Sequence, residues 1–235
     1  MLPRFEEKHM GNPGFRIKKS IIRPDKDLVA AFASIPVANI GDNMNRINCM
    51  NSRIVPMNSA PLCGTAFTVK VRTGDNLLFH KAIDMAQPGD IIVIDAQGEH
   101  SYAITGELMI SWCRRRGISG LIVDGCIRDV DAIGKLTDFP VYAVGVSPNG
   151  PLKEGGGEIN FPIMCGGLVV NPGDIVVGDA DGVVVIRPED APSVLKNAQA
   201  QNAKEAQAMK DIENLVWSRE WVDKVLAAKG CEYVD

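Results

Sequence analysis

Hydrophobic and polar positions alternate in a clear order through the middle of the chain. Residues 65–71 alternate well enough for a strand. Gly74-Asp75 then marks a turn and helix cap, and Leu78, Ala82, Ile83 and Met85 recur at helical spacing over residues 76–86. Residues 91–95 and 121–124 are short apolar runs rich in β-branched side chains, the signature of buried strands. Between them, residues 106–116 read as a helix that stops at Gly117. A short helix over residues 129–136 and a strand over 141–146 complete the run. Strand–helix–strand–helix–strand implies a parallel sheet with right-handed crossovers, hence an α/β fold with ligands at the C-terminal strand ends.

The flanks are less regular. Residues 1–24 read as an irregular arm broken by Gly11, Pro13, Gly14 and Pro24. Asp25 or Asp27 can cap a short helix through Phe32, and the main domain spans residues 25–188. After residue 160 come four short β segments, 162–165, 168–170, 175–178 and 183–186. Gln87-Pro88-Gly89-Asp90 echoes Asn171-Pro172-Gly173-Asp174, and two β-turns feeding two buried strands account for it. Residues 189–235 form a helical extension rich in Ala, Lys, Glu and Gln. Its narrow stripe of Val194, Ala198, Met209, Ile212 and Val216 suits a helix that lies on a surface or reaches a partner subunit.

Composition narrows the function. The chain has 235 residues with net charge −4, which argues against a nucleic-acid binder. The arm over residues 1–24 carries about +4, leaving about −8 on the remainder. No apolar run approaches the ~20 residues needed to span a bilayer, and the N-terminus lacks the apolar core of a signal peptide. The six cysteines form no C-x-x-C pair or zinc-finger spacing, and a reducing cytoplasm is the simplest setting.

The chemistry-bearing residues fall near the C-terminal ends of two neighbouring strands. Glu107 is followed, after twenty residues, by Arg128-Asp129. Two carboxylates can hold a hard divalent cation, and an arginine beside them can neutralise an oxyanion. Glu107 opens a helix, where a substrate carboxylate can sit against the N–H groups of Leu108 and Met109. Taken singly, Glu107 could be a dipole-favoured helix start, Asp129 a cap and Arg128 a surface charge. Their clustering at one sheet edge favours lyase chemistry on a small oxo acid. His80 is either a pocket residue or a packed histidine, His100 falls in a loop, and Gly155-Gly156-Gly157 reads as a flexible loop without a phosphate-binding pattern. No Ser-His-Asp or Cys-His nucleophile arrangement stands out.

At these residues the chain resembles the RraA-like superfamily. The resemblance rests on the acid–x20–Arg-Asp spacing, Gly74-Asp75-Asn76, Val123-Asp124-Gly125, Pro172-Gly173-Asp174 and Gly178-Asp179-Ala180-Asp181-Gly182-Val183. It covers roughly residues 25–190. Its enzymes include the class II 4-hydroxy-4-methyl-2-oxoglutarate/4-carboxy-4-hydroxy-2-oxoadipate aldolases, and it also contains the regulator of ribonuclease activity A. The resemblance implies a swivelling β/β/α domain assembled as trimers or hexamers. It implies direct binding of Mg²⁺ or Mn²⁺ by Asp129, contact of Arg128 with the keto or enolate oxygen, and backbone amides of Gly106 to Met109 on the pyruvate carboxylate. Glu107 stands where the aldolase pattern has Asp, and would meet the metal through water. Asn76 matches a polar pocket position, and Glu205 a glutamate donated by the adjacent subunit. The implied reaction is aldol cleavage of a 4-hydroxy-2-oxo di- or tricarboxylic acid to pyruvate and a second oxo acid, with oxaloacetate decarboxylation as a side activity. The alternative is a non-catalytic regulator that binds a ribonuclease.

Overall fold

The computed structural model describes residues 12–234. Strands β3 (Leu62–Val71), β4 (Asp90–Thr105), β5 (Gly120–Ile127) and β6 (Val141–Val146) lie side by side in chain order, all parallel. Helices α3 (Leu77–Met85), α4 (Glu107–Arg115) and α5 (Val130–Ile133) join them. Right-handed crossovers that always step the same way put all three helices on one face of the sheet. Alternation along each strand then splits the core in two. Phe67, Val69, Ile92, Ile94, Leu121 and Val123 face the helices and pack on Phe79, Ile83 and Ile110. Ala66, Ile91, Val93 and Ile122 face the other way, into a second core with Ile163, Cys165, Val170, Val176 and Val185.

That second face is covered by β structure. β8 (Ile163–Cys165) and β9 (Leu168–Val170) form a hairpin of their own. β10 (Ile175–Asp179) pairs antiparallel with both β3 and β11 (Gly182–Ile186). The layers are therefore β/β/α, as the resemblance implies. The two echoed turns are alike in detail. Asp90 Oδ2 accepts from Gln87 N and Asp174 Oδ2 from Asn171 N, each at 2.8 Å. Each carboxylate thus closes the turn that launches its own buried strand.

Several elements depart from the sequence reading. The 12–24 segment is not irregular throughout, because β1 (Phe15–Ile17) pairs parallel with β7 (Gly157–Ile159) at the sheet edge. Residues 1–11 of the expected arm lie outside the described residues. β4 runs on to Thr105 through three register shifts against β5, so His100 lies in a strand and not a loop. The polar stretch Gln97-Gly98-Glu99-His100 hides that continuation, since bulges break the period-2 pattern. Two short helices precede β3. α1 (Lys26–Ala30) is capped by Asp25, and α2 (Val37–Asp42) packs with α6 (Ala191–Glu213) on a third core. β2 (Val55–Pro56) pairs antiparallel with β6.

Only the first turns of α6 are anchored, through Ala191, Val194 and Ala198. Met209, Ile212 and Val216 remain exposed, and α7 (Glu220–Ala228) buries no residue. Among the described residues no helix is long and apolar enough to cross a membrane. Phe79, fully buried in the core under α3, tests the packing. Phe79→Ala should cost about 3–5 kcal/mol, read as a lower urea midpoint at unchanged slope. An unchanged midpoint would contradict this core.

Candidate active site

β4 and β5 end level, with Thr105 opposite Ile127. One further bond, from Arg128 N to Thr105 O at 3.0 Å, carries the ladder past the strand ends. The chain then turns sharply at Asp129, which sits in the left-handed region at φ 61, ψ 37. A non-glycine residue there stores about 1–2 kcal/mol of strain, least for Asp and Asn. The turn brings the carboxylate back over the end of β4, where Oδ2 accepts the Glu107 N–H at 2.9 Å.

Gly106 makes this approach possible. Its backbone is extended, so the requirement is space and not conformation. A Cβ at this position would collide with Asp129 Oδ2 and lie 3.0 Å from Arg128 Cγ. Arg128 Nε stands 3.8 Å from Asp129 Oδ2, and both side chains are close to half exposed, at 44% and 43%. A pair this long and this wet is weak, so both charges remain available to a ligand. Among the described residues Asp129 Oδ1 accepts no hydrogen bond.

A cavity of about 250 Å³ opens beside this turn. Asn76, just before α3, and His80 on α3 line it, together with Thr105, Gly106, Leu108 and Met109 around the end of β4, and Pro151 and Lys153 from the connection after β6. Asn76 Nδ2 donates to Ile104 O at 2.9 Å and meets Met109 Sδ at 3.4 Å. The amide is thereby oriented, and its Oδ1 is buried without a partner. Thr105 Oγ1 is buried and unpaired as well. Each such atom costs about 1–3 kcal/mol if left unsatisfied, and both belong to residues that line the cavity. The first-turn N–H groups of α4 add the positive end of a helix dipole. Burial first, and then the nearby Lys153 ammonium, push the His80 pKa down, while Asp84 pulls it up.

The structure brings Gly106, Leu108, Met109, Asn76, Arg128 and Asp129 to one cavity. Glu107 contributes its N–H to Asp129, but its side chain is exposed and stands outside the cavity lining. Glu205 lies on α6, where its Oε1 accepts from Gln201 Nε2 at 2.7 Å, and it is not among the residues lining the cavity beside Asp129. His80 is exposed and lies in the cavity lining. Thr105, Pro151 and Lys153 are additions that sequence reasoning missed. A lone lysine in the Pro/Gly-rich stretch before β7 was the available signal.

Among the described residues no group of three or more His, Cys, Asp and Glu converges as a metal cage. A single fixed carboxylate with a free oxygen fits a different design. Mg²⁺ keeps several waters and takes one or two carboxylates together with substrate oxygens. A larger cavity, about 470 Å³, opens at the opposite ends of β3 and β4. Its walls are mostly apolar, and its Arg23 and Asp90 are spent on each other through bonds of 2.8 and 2.7 Å.

Fold and site together define a β/β/α protein with an Arg-Asp pair at the C-terminal strand ends. The chain belongs to the RraA-like family, described as Aldolase/RraA, which matches residues 37–185. That match contains every residue lining the cavity beside Asp129. A protein of Halalkalibacterium halodurans named "Putative 4-hydroxy-4-methyl-2-oxoglutarate aldolase" is 39% identical over 202 residues, covering 85% of this chain and 96% of its own length. Among solved structures, an uncharacterized protein from Pseudomonas syringae pv. tomato superposes with a TM-score of 0.72 at 23% identity, covering 83% of this chain and 96% of that one. Streptomyces coelicolor RraAS2, described as an unusual member of the RNase ES inhibitor RraA protein family, gives 0.69 at 24% identity, covering 80% and 100%. At such identities the two structures show a shared fold.

The electrostatics of the wall can be checked directly. In Lys153→Met the His80 pKa should rise toward the ordinary histidine value, followed by NMR titration of its ring carbons. An unchanged His80 titration would place the ammonium elsewhere.

Proposed function

We propose that this protein is a divalent-metal-dependent aldolase. It cleaves a 4-hydroxy-2-oxo di- or tricarboxylic acid to pyruvate and a second oxo acid. The observation that carries the reading is the Asp129 carboxylate, pinned on the Glu107 N–H with the Arg128 guanidinium beside it, at the edge of a cavity lined by both residues. The names of the relatives support the aldol reaction class.

Asp129 would hold Mg²⁺ or Mn²⁺, with Glu107 supporting its water shell from the rim and Glu205 reaching in from a neighbouring subunit of a trimer or hexamer. When bound, the ion draws electron density from the substrate carboxylate and keto oxygen. The N–H groups of Leu108 and Met109 hold the pyruvate-end carboxylate. The 4-hydroxyl gives its proton through water to the Glu107 carboxylate. The C3–C4 bond breaks, its electron pair passes to the pyruvate enolate, and the second oxo acid leaves as a carbonyl compound. Arg128 donates to the keto oxygen as negative charge grows there, a contact stronger in the transition state than in the ground state. Protonation of the enolate carbon then releases pyruvate. Lys153, also in the cavity lining, would meet the second substrate carboxylate. Oxaloacetate, which loses CO₂ to give the same enolate, would be a slower substrate.

The wild-type protein with Mg²⁺ should release pyruvate from 4-hydroxy-4-methyl-2-oxoglutarate in a lactate-dehydrogenase-coupled assay. EDTA should abolish the release. Asp129→Ala, and separately Arg128→Met, should each lower kcat by about 10²–10³-fold. Full activity under any of these conditions contradicts the proposal. Gly106→Ala should be nearly as damaging, because the added methyl displaces the Asp129 carboxylate. The fold likeness to RraAS2 motivates a parallel pulldown against ribonuclease E. Binding without turnover would favour a regulator that acts through protein contacts.

A further inference from the structure

Asp75 is 1% exposed and lies outside the cavity lining. Its carboxylate nevertheless joins two walls of the site. Oδ1 accepts from Leu77 N at 2.8 Å, at the start of the helix that carries His80. Oδ2 accepts from Glu154 N at 2.6 Å and Gly155 N at 3.1 Å, in the segment that carries Lys153. The same two stretches are tied again by Leu152 N to Gly74 O at 2.8 Å and Asn76 N to Leu152 O at 3.0 Å. Lys153 is thus held between two residues, Leu152 and Glu154, that are each bonded to the Gly74-Asp75-Asn76 turn. Among the described residues no carboxylate lies within ion-pair distance of Lys153.

The segment is braced from outside as well. Phe15 of β1 packs against Gly155, where a Cβ would lie 3.1 Å from the Phe15 ring and 3.2 Å from Leu77 Cδ2. Gly157 N donates to Gly14 O at 2.6 Å. At the segment's other end, Ala103 N donates to Asn149 O at 2.8 Å and Asn149 Nδ2 to Ser101 O at 2.9 Å. A carboxylate saturated by backbone donors is a strong, charge-assisted strut. Its lost bonds would free Lys153 while leaving the Arg128–Asp129 end untouched.

We infer that Asp75 is a positioning residue. By locking the 152–155 segment to the start of α3, it sets the distance from Asp129 to the Lys153 ammonium, and so selects 2-oxo acids that carry a second carboxylate. The inference rests on the aldolase reading, and on Lys153 as the site of the second carboxylate. Asp75 takes no part in the bond-breaking step. Its loss should weaken binding of the long substrate and spare chemistry on pyruvate itself.

The test compares two reactions of the full-length protein with Mg²⁺. One is cleavage of 4-hydroxy-4-methyl-2-oxoglutarate. The other is exchange of the pyruvate methyl protons in D₂O followed by NMR, which needs the enolate end of the site alone. Asp75→Asn should raise KM for the diacid about tenfold, the equivalent of one charge-assisted contact. Its kcat should change less than about threefold, the pattern of lost uniform binding. Pyruvate exchange should stay within about twofold of wild type. Phe15→Ala, at a half-exposed ring remote from the cavity, should show the same split more weakly, and it decides the matter if Asp75→Asn fails to fold. Equal losses in both reactions, or no change in the diacid KM, overturn the inference while leaving the aldolase reading intact. A wild-type protein inert in both reactions defeats the aldolase reading, and this inference with it.

Discussion

The bond from the Glu107 N–H to Asp129 Oδ2 joins the ends of two adjacent parallel strands, and the rest of the site is arranged around it. It requires that β4 and β5 finish level, that residue 106 have no side chain, and that residue 129 accept a left-handed backbone. Each condition is met by a particular residue. Gly106 leaves room, Asp129 tolerates the strain, and the bond from Arg128 N to Thr105 O holds the two exits in register. The strain is small against the stability of a sheet in which β5 is buried along its whole length. A fixed carboxylate and an adjacent unspent guanidinium result, at the edge where α/β sheets bind ligands.

The fold explains why this edge is open. Strands added in chain order with right-handed crossovers leave all three helices on one face. The other face is closed by β8–β9 and by the β10–β11 pair beside β3, which seal the core without crossing the C-terminal strand ends. Those ends are framed by the start of α3, the start of α4 and the long connection between β6 and β7. The helix starts supply backbone donors. The connection supplies Lys153, and Asp75 ties it to α3.

Much of the central architecture is legible in the sequence because its signals are local. β5 and β6 are dense β-branched runs, α4 ends at a glycine, and the x20 spacing between Glu107 and Arg128 is one helix plus one strand. What escapes reading is set by contacts between distant residues. β1 is three residues long and exists because Gly157–Ile159, about 140 positions away, offers it an edge. The far half of β4 is polar and bulged, so periodicity fails there although the pairing with β5 continues. Lys153 has no motif of its own, and its place in the cavity lining goes with the bonds from Leu152 and Glu154 to the Gly74-Asp75-Asn76 turn. Glu107 shows the opposite case. Its position along the chain is informative, yet its backbone meets the site while its exposed carboxylate stays outside the cavity lining.

The central claim is that Asp129 and the β4–β5 turn form a cation-assisted oxo-acid site. The most direct measurement is an anomalous difference map from crystals soaked with Mn²⁺ and pyruvate. The account predicts a peak within about 2.5 Å of an Asp129 carboxylate oxygen, with pyruvate density between that peak and the start of α4. A cavity without a peak, or Mn²⁺ bound elsewhere while Asp129 stays solvated, would contradict it.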